Sequence, residues 1–263
     1  MQVGWIGLGA IGTNMVARAL GVGHRVTAHA RGRGLPVVRA MGASVEADYR
    51  ALAASSAVLA LCLFNDDQVR SVLFGEGALA ALKPGSILAI HTTGSPELAR
   101  EIGARAPAGV AVLDATFSGG PDAVLAAELT MMVGGHADAL DQARPLLAAY
   151  SQKIFHFGPL GSGQIVKLLN NLLFATNFKN AADILKIGAA MGFQTSEVAS
   201  VIQCCSGASF AMRSFQTGNS IPDVLARIQP YLSKDVTTVA ASALSAEIDI
   251  GAFHDTIRYF APV

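Results

Sequence analysis

GLGAIG at residues 7–12, inside the longer run VGWIGLGAIG, decides how the first half of this chain is read. The apolar VGWIGL before the glycines has the length and composition of a strand, and residues 14–20 carry helical spacing. Gly7, Gly9 and Gly12 stand between them in GxGxxG order. Each glycine then has its own physical task. The first permits a tight turn, the second lets a pyrophosphate approach the backbone, and the third lets helix and strand pack closely. The helix start at Ala10, Ile11 and Gly12 presents amide donors and the positive end of a helix dipole to phosphate. In a chain with 27 glycines the spacing alone is an ordinary turn, so the weight rests on its place between a strand and a helix. That context points to a bound dinucleotide.

The second strand, HRVTAHA at residues 24–30, bears on which dinucleotide. A strand of this kind that serves NAD commonly ends in an acid that holds the ribose hydroxyls. Here Arg31 and Arg33 follow instead, and no acid appears before Glu46. A carboxylate would repel a 2′-phosphate, whereas a guanidinium pairs with it and stacks on adenine. The pattern favours NADP, with NAD as the alternative and solvated loop arginines as the plain structural reading.

Working outward, short apolar runs alternate with helical patterns. Residues 56–64, 86–93, 110–115 and 129–134 read as further strands, and residues 69–82 as a helix with a turn at Gly75 and Gly77. Strands separated by helices of this size imply a mostly parallel sheet with right-handed crossovers. HFGPLGSGQ, residues 156–164, breaks the pattern with glycine and proline. Beyond it, residues 164–191 read as one long helix, and 195–204, 222–233 and 234–244 as three more. The expected organisation is α/β: a Rossmann domain over residues 1–160, then an all-helical domain over 161–263 for substrate and dimerisation.

Bulk composition narrows the partners. Net charge is zero over 263 residues and no basic stretch occurs, which argues against nucleic acid. The longest apolar run, residues 57–64, is too short to span a bilayer. The chain opens on a strand with neither a charged leader nor a cleavage site, so a cytoplasmic location is expected. Cys62, Cys204 and Cys205 show no ligand or disulfide spacing and read as packing residues. The six histidines are scattered, so no metal is expected; His91, beside Thr92 and Thr93, lies nearest the expected nicotinamide pocket.

Two segments carry candidate chemistry. In DATFSGGPDAV, residues 114–124, a strand ends in Ser118, Gly119 and Gly120, whose hydroxyl and amides suit a small anion such as a carboxylate. In GSGQIVKLLNN, residues 161–171, Lys167 and Asn171 fall four apart on one helix face. A lysine in an otherwise apolar run is poorly placed for solvent, and burial would depress its pKa toward neutrality. A simple turn and a surface lysine on an amphipathic helix are the plain alternatives.

Together these segments resemble the β-hydroxyacid dehydrogenase family, and the resemblance covers nearly the whole chain. GLGAIGTNMVARAL is similar to the family's GLGxMGxxM, DATFSGG to its DAPVSGG, GSGQIVKLLNN to its GxGxxxKxxNN, and YLSKD at residues 231–235 to a late lysine–aspartate motif. VRSVLFGEGALAALKPGS and HTTGSPE resemble the middle of its nucleotide domain. The resemblance implies interconversion of a small β-hydroxy acid and its semialdehyde or keto acid. Lys167 would be the general acid/base and Asn171 would orient it and the substrate. Ser118, Gly119 and Gly120 would hold the substrate carboxylate, and Lys234 would close the site. Asp235 would position Lys234 and count with the cofactor-binding residues, Thr93 would lie at the nicotinamide ribose, and Arg31 would meet the 2′-phosphate.

This chain departs from the family pattern at three places. Thr116 and Phe117 replace a proline and a valine, which alters the pocket wall. ARGRG, residues 30–34, replaces the usual NRT but keeps Arg31. Family members continue for a further helix, whereas this sequence stops at IRYFAPV; the apolar surface left open suggests a homodimer or larger homo-oligomer. Imine reductases share the architecture but usually lack the lysine that this chain retains. Phosphogluconate chemistry lacks its basic cluster here, and a non-catalytic dinucleotide-binding module is the reading outside enzymology.

Overall fold

The computed structural model describes residues 1–29, 34–218 and 220–261. The chain divides into two compact units, Met1–Lys167 and Leu168–Val263.

The first unit is built on strands β1 (Gln2–Ile6), β2 (Arg25–His29), β3 (Ser44–Val45), β4 (Val58–Leu61), β5 (Ile87–Ile90), β6 (Ala111–Ser118), β7 (Leu129–Gly134) and β8 (Ser151–His156). They form one sheet in the order β3-β2-β1-β4-β5-β6-β7-β8. Every neighbouring pair is parallel except β6 with β7. Helices α1 (Ala10–Gly21), α2 (Gly34–Ala40), α3 (Tyr49–Ala54), α4 (Asp66–Arg70), α5 (Ala78–Ala81), α6 (Pro96–Arg105), α7 (Pro121–Leu125) and α8 (Ala137–Leu147) connect them. Side chains alternate between faces, so each central strand feeds two cores. Val3, Trp5, Ala60 and Ala89 lie in one core, and Ile6, Leu61, Leu88 and Ile90 in the other. With both faces covered, β4 and β5 are buried at every residue, which is why they read as unbroken apolar runs. Chain order reverses at β1, which lies between β2 and β4. The crevice beyond the carboxyl ends of strands at such a switch point is where open α/β sheets bind ligands.

Several elements differ from the sequence expectation. β8 is an additional strand; four of its six residues are exposed, so it has no apolar run to announce it. β6 extends past Ala115 to Ser118, which sets the serine at the strand's end. Residues 69–82 are not one helix: α4, capped by Asn65, passes into a π-turn at Ser71–Gly75. Gly77, in the left-handed region at φ 76°, then restarts the chain as α5.

The second unit is helical. α9 (Ser162–Ala190) starts in the first unit and continues into the second, followed by α10 (Thr195–Gln203), α11 (Ile221–Ser245) and α12 (Phe253–Phe260). Phe178, Phe215 and Phe260 sit at the centre of its core with Leu185, Val224 and Val236. The two helices expected over 222–233 and 234–244 are the single α11, which carries Pro230 in its interior. α12 is a further helix beyond those expected, and its Phe260 is fully buried. Cys204 and Cys205 are exposed, contrary to the packing role expected of them, because they fall in the turn after α10 where its apolar face has ended. Among the described residues no helix is long and apolar enough to cross a membrane.

Candidate active site

The dinucleotide motif turns at the carboxyl end of β1. Gly7 has φ 99°, and a Cβ there would lie 2.2 Å from the carbonyl oxygen of Cys62 at the end of β4. A Cβ on Gly12 would lie 2.1 Å from the Gly7 carbonyl oxygen, so α1 packs onto the turn only because residue 12 has no side chain. Gly9 is exposed, and a Cβ there would meet nothing within 4 Å among the described residues. The carbonyls of the turn are tied down from behind: Trp5 Nε1 donates to Gly7 O at 3.1 Å and Thr13 Oγ1 to Leu8 O at 3.2 Å. Among the described residues no side chain caps α1, and the amides of its first turn at Ala10, Ile11 and Gly12 have no intrahelical acceptor. This turn, open at Gly9 and lined by helix N–H groups, fits a pyrophosphate. Arg31 and Arg33, on which the choice of NADP rests, lie outside the described residues.

Thr93 follows β5, and its neighbours are fixed on both sides. Thr92 Oγ1 accepts from Leu63 N at 2.8 Å, and Ser95 N donates to the Asp66 carboxylate at 3.0 and 3.3 Å. Gln164, in the first turn of α9, bridges the loop: its Nε2 donates to Thr92 O at 2.8 Å and its Oε1 accepts from Gly94 N at 3.0 Å.

β6 supplies the rest of the site in this unit. Asp114 is fully buried and accepts from Gly161 N at 2.8 Å and Gln164 N at 2.7 Å. Burial pushes its carboxyl above the usual range, against the lowering effect of those backbone donors. Thr116 Oγ1 lies 3.0 Å from Gly163 O and 3.1 Å from Met132 O, two acceptors for one proton. Ser118 ends the strand, partly buried, and Gly119 follows at φ 134°. Gly120 opens α7, which Asn14 of α1 holds by donating to Pro121 O at 3.1 Å. Lys167, partly buried, lies three residues past Gln164 on α9. The first unit thus brings the glycine turn, Thr93, Ser118–Gly120 and the base of the lysine helix to the carboxyl ends of β1, β5 and β6.

His91 has a different place from the one its neighbours suggested. It is 1% exposed, its Nδ1–H donates to Ala115 O at 2.6 Å, and its Nε2 accepts from the Tyr150 hydroxyl at 3.0 Å. Its ring stacks on Trp5 at 5.7 Å. Burial pushes its pKa down to about 4, outweighing the raising effect of the Ala115 carbonyl. Both nitrogens are engaged, so the ring is neutral scaffold beneath the site.

In the second unit Asn171, Lys234 and Asp235 come together. Asp235 is buried, accepts from Asn171 Nδ2 at 2.5 Å and pairs with Lys234 Nζ at 2.6 Å. Asn171 Oδ1 accepts from Asn170 Nδ2 at 3.0 Å. Asp235 therefore contacts both Asn171 and Lys234. Sequence reasoning passed over Trp5, Asp114 and Gln164, and the buried hydrogen bonds of Thr116. Asp114 alone carried a legible signal, an acid inside an apolar strand.

Residues 2–158 match the family model for the NAD binding domain of 6-phosphogluconate dehydrogenase, and residues 161–250 that for NAD-binding of NADP-dependent 3-hydroxyisobutyrate dehydrogenase. The chain is 34% identical over 217 residues to the NAD-dependent L-serine dehydrogenase of Pseudomonas aeruginosa, covering 81% of this chain and 73% of that protein. It is 31% identical over 262 residues to the L-threonate dehydrogenase of Cupriavidus necator, covering 98% and 84% respectively. The solved structure of 3-hydroxyisobutyrate dehydrogenase from Mycobacterium tuberculosis with L-serine superposes with a TM-score of 0.84 at 26% identity, over 98% of this chain and 92% of that one. The matched domains indicate a nicotinamide dinucleotide as cofactor. On its glycine turn, its Ser-Gly-Gly strand end, its lysine helix and these matches, the chain belongs to the β-hydroxyacid dehydrogenase family.

Proposed function

We propose that this protein interconverts a small β-hydroxy acid and its semialdehyde or keto acid, using NADP(H) in preference to NAD(H). The observation that carries the reading is the placement of Lys167. It is a partly buried lysine on a helix whose first turn is hydrogen-bonded to Asp114 and Thr116 of β6, the strand that ends in Ser118, and to the loop after β5. When bound, the nicotinamide accepts or supplies the hydride. In oxidation Lys167 Nζ takes the hydroxyl proton as the C–H bond gives up its hydride; in reduction the ammonium returns that proton to the developing alkoxide. The Ser118 hydroxyl and the amides of Gly119 and Gly120 hold the substrate carboxylate and fix which carbon faces the hydride. For the second unit by itself we propose a substrate role as well, with Lys234 as a cation and Asn171 as an orienting amide, both supported by Asp235. NADP is favoured by Arg31 and by the lack of an acid before Glu46.

The test follows NADPH and NADH oxidation against glyoxylate, succinic semialdehyde, methylmalonate semialdehyde and a cyclic imine, with Lys167→Ala in parallel. NADPH-dependent turnover of an aldehyde acid, reduced about 100-fold or more in the variant, is expected. Faster turnover with NADH overturns the cofactor preference. Turnover of the imine alone, or a variant as active as the parent, overturns the lysine mechanism.

A further inference from the structure

We infer that Gln164 is a positioning residue that sets Thr93 and Lys167 in register, so that hydride and proton reach one carbonyl group together. This rests on the function proposed above.

Gln164 is 2% exposed, and its carboxamide is engaged at both ends by the loop after β5. The amide nitrogen donates to Thr92 O and the oxygen accepts from Gly94 N, so the two bonds bracket Thr93. Its own backbone N–H is taken by Asp114. The same residue therefore grips the loop with its side chain and lies one helical turn before Lys167 on α9. Asp66 holds the same loop as well. A Cβ on Gly94 would lie 1.8 Å from Asp66 Oδ1, and Ser95 N is held by that carboxylate. A neutral carboxamide of this length is required, since it must donate to one backbone group and accept from another. Glutamate can only accept when ionised, leucine does neither, and asparagine is one methylene short. Hydride leaves or enters a carbon while the proton moves at the attached oxygen. A small shift of the loop against the helix therefore misplaces one transfer relative to the other, and displacements near 1 Å cost on the order of 100-fold in rate.

The experiment compares the parent with Gln164→Glu and Gln164→Leu. Expected is a fall in kcat of about 10- to 100-fold, with substrate KM and cofactor Kd moved by no more than about threefold. The isotope effect with cofactor deuterated at the transferred position should also grow, because the hydride step becomes slower. A variant with kcat within about twofold of the parent, or whose loss matches only its unfolded fraction, overturns the proposal. Amide hydrogen exchange supplies a readout independent of turnover. In Gln164→Leu the Gly94 amide and the amides of residues 161–167 should exchange faster, with protection elsewhere unchanged. Unchanged exchange at Gly94 overturns the staple. A parent inactive on every substrate counts against the proposed function alone, and exchange then decides the staple by itself.

Discussion

Gly12 has no room for a side chain. Gly12→Ala puts a methyl 2.1 Å from a backbone oxygen that Trp5 already holds, so the turn must open. Cofactor affinity should fall by about 10-fold or more while the fold survives, as read by cofactor titration and thermal melting of the variant. His91 makes a prediction in pH. Its pKa is about 4 in the folded chain against 6.5 for an unperturbed imidazole, so between those values the unfolded chain binds the extra proton. The stability it contributes is complete above pH 6.5 and is lost as pH falls toward 4, by roughly 3 kcal/mol. Asp114, raised by burial, shifts stability in the opposite sense but equally in parent and variant. Urea unfolding of the parent and of His91→Gln from about pH 7 to 4 should therefore show the gap between them shrinking with acid; a constant gap contradicts the assignment. At this scale the glycines and Ser118 were legible because a turn or strand end demands particular residue types. Gln164 and the hydrogen bonds of Thr116 were not, since the partners are backbone groups 16 to 72 residues away, which no local pattern encodes.

At the scale of elements, burial decided what the sequence could show. β4 and β5 are covered on both faces and announce themselves as apolar runs, whereas β8 lies at the sheet edge with Gln152, Lys153, Phe155 and His156 exposed. In the α4–α5 segment apolar spacing continues through the π-turn, and the break falls at Gly75 and Gly77, the glycines that marked a turn in the sequence. Pro230 lies inside the helix expected over 222–233, and α11 runs through it and on past residue 234, buried on one face by Val224, Leu232, Val236 and Val239. Packing of that apolar face outweighs the one backbone donor that proline removes.

For the whole molecule, the mostly parallel sheet followed by helices was legible, since the shift from alternating strands to unbroken helical spacing is a property of long segments. The exposed residues of α9 and its C-terminal turn make the remaining prediction. Leu169, Leu173, Ile187 and Met191 are each more than half exposed, a run of apolar side chains that water covers poorly. We propose that a second copy of the chain covers it. Sedimentation at micromolar concentration should show a dimer or larger assembly, and Leu173→Glu with Ile187→Glu should shift it to monomer with both units still folded. Strictly monomeric parent protein contradicts this.

Trp5 gives the chain an optical property as well. It is the one tryptophan in the sequence, it is fully buried, and its indole N–H is bonded to the first glycine of the dinucleotide turn. Its emission is therefore that of a single indole shielded from water, attached to the part of the backbone that a dinucleotide must touch. Reduced nicotinamide absorbs where indole emits, so arrival of the cofactor should quench this fluorescence by energy transfer. The protein carries its own unlabelled gauge of cofactor occupancy.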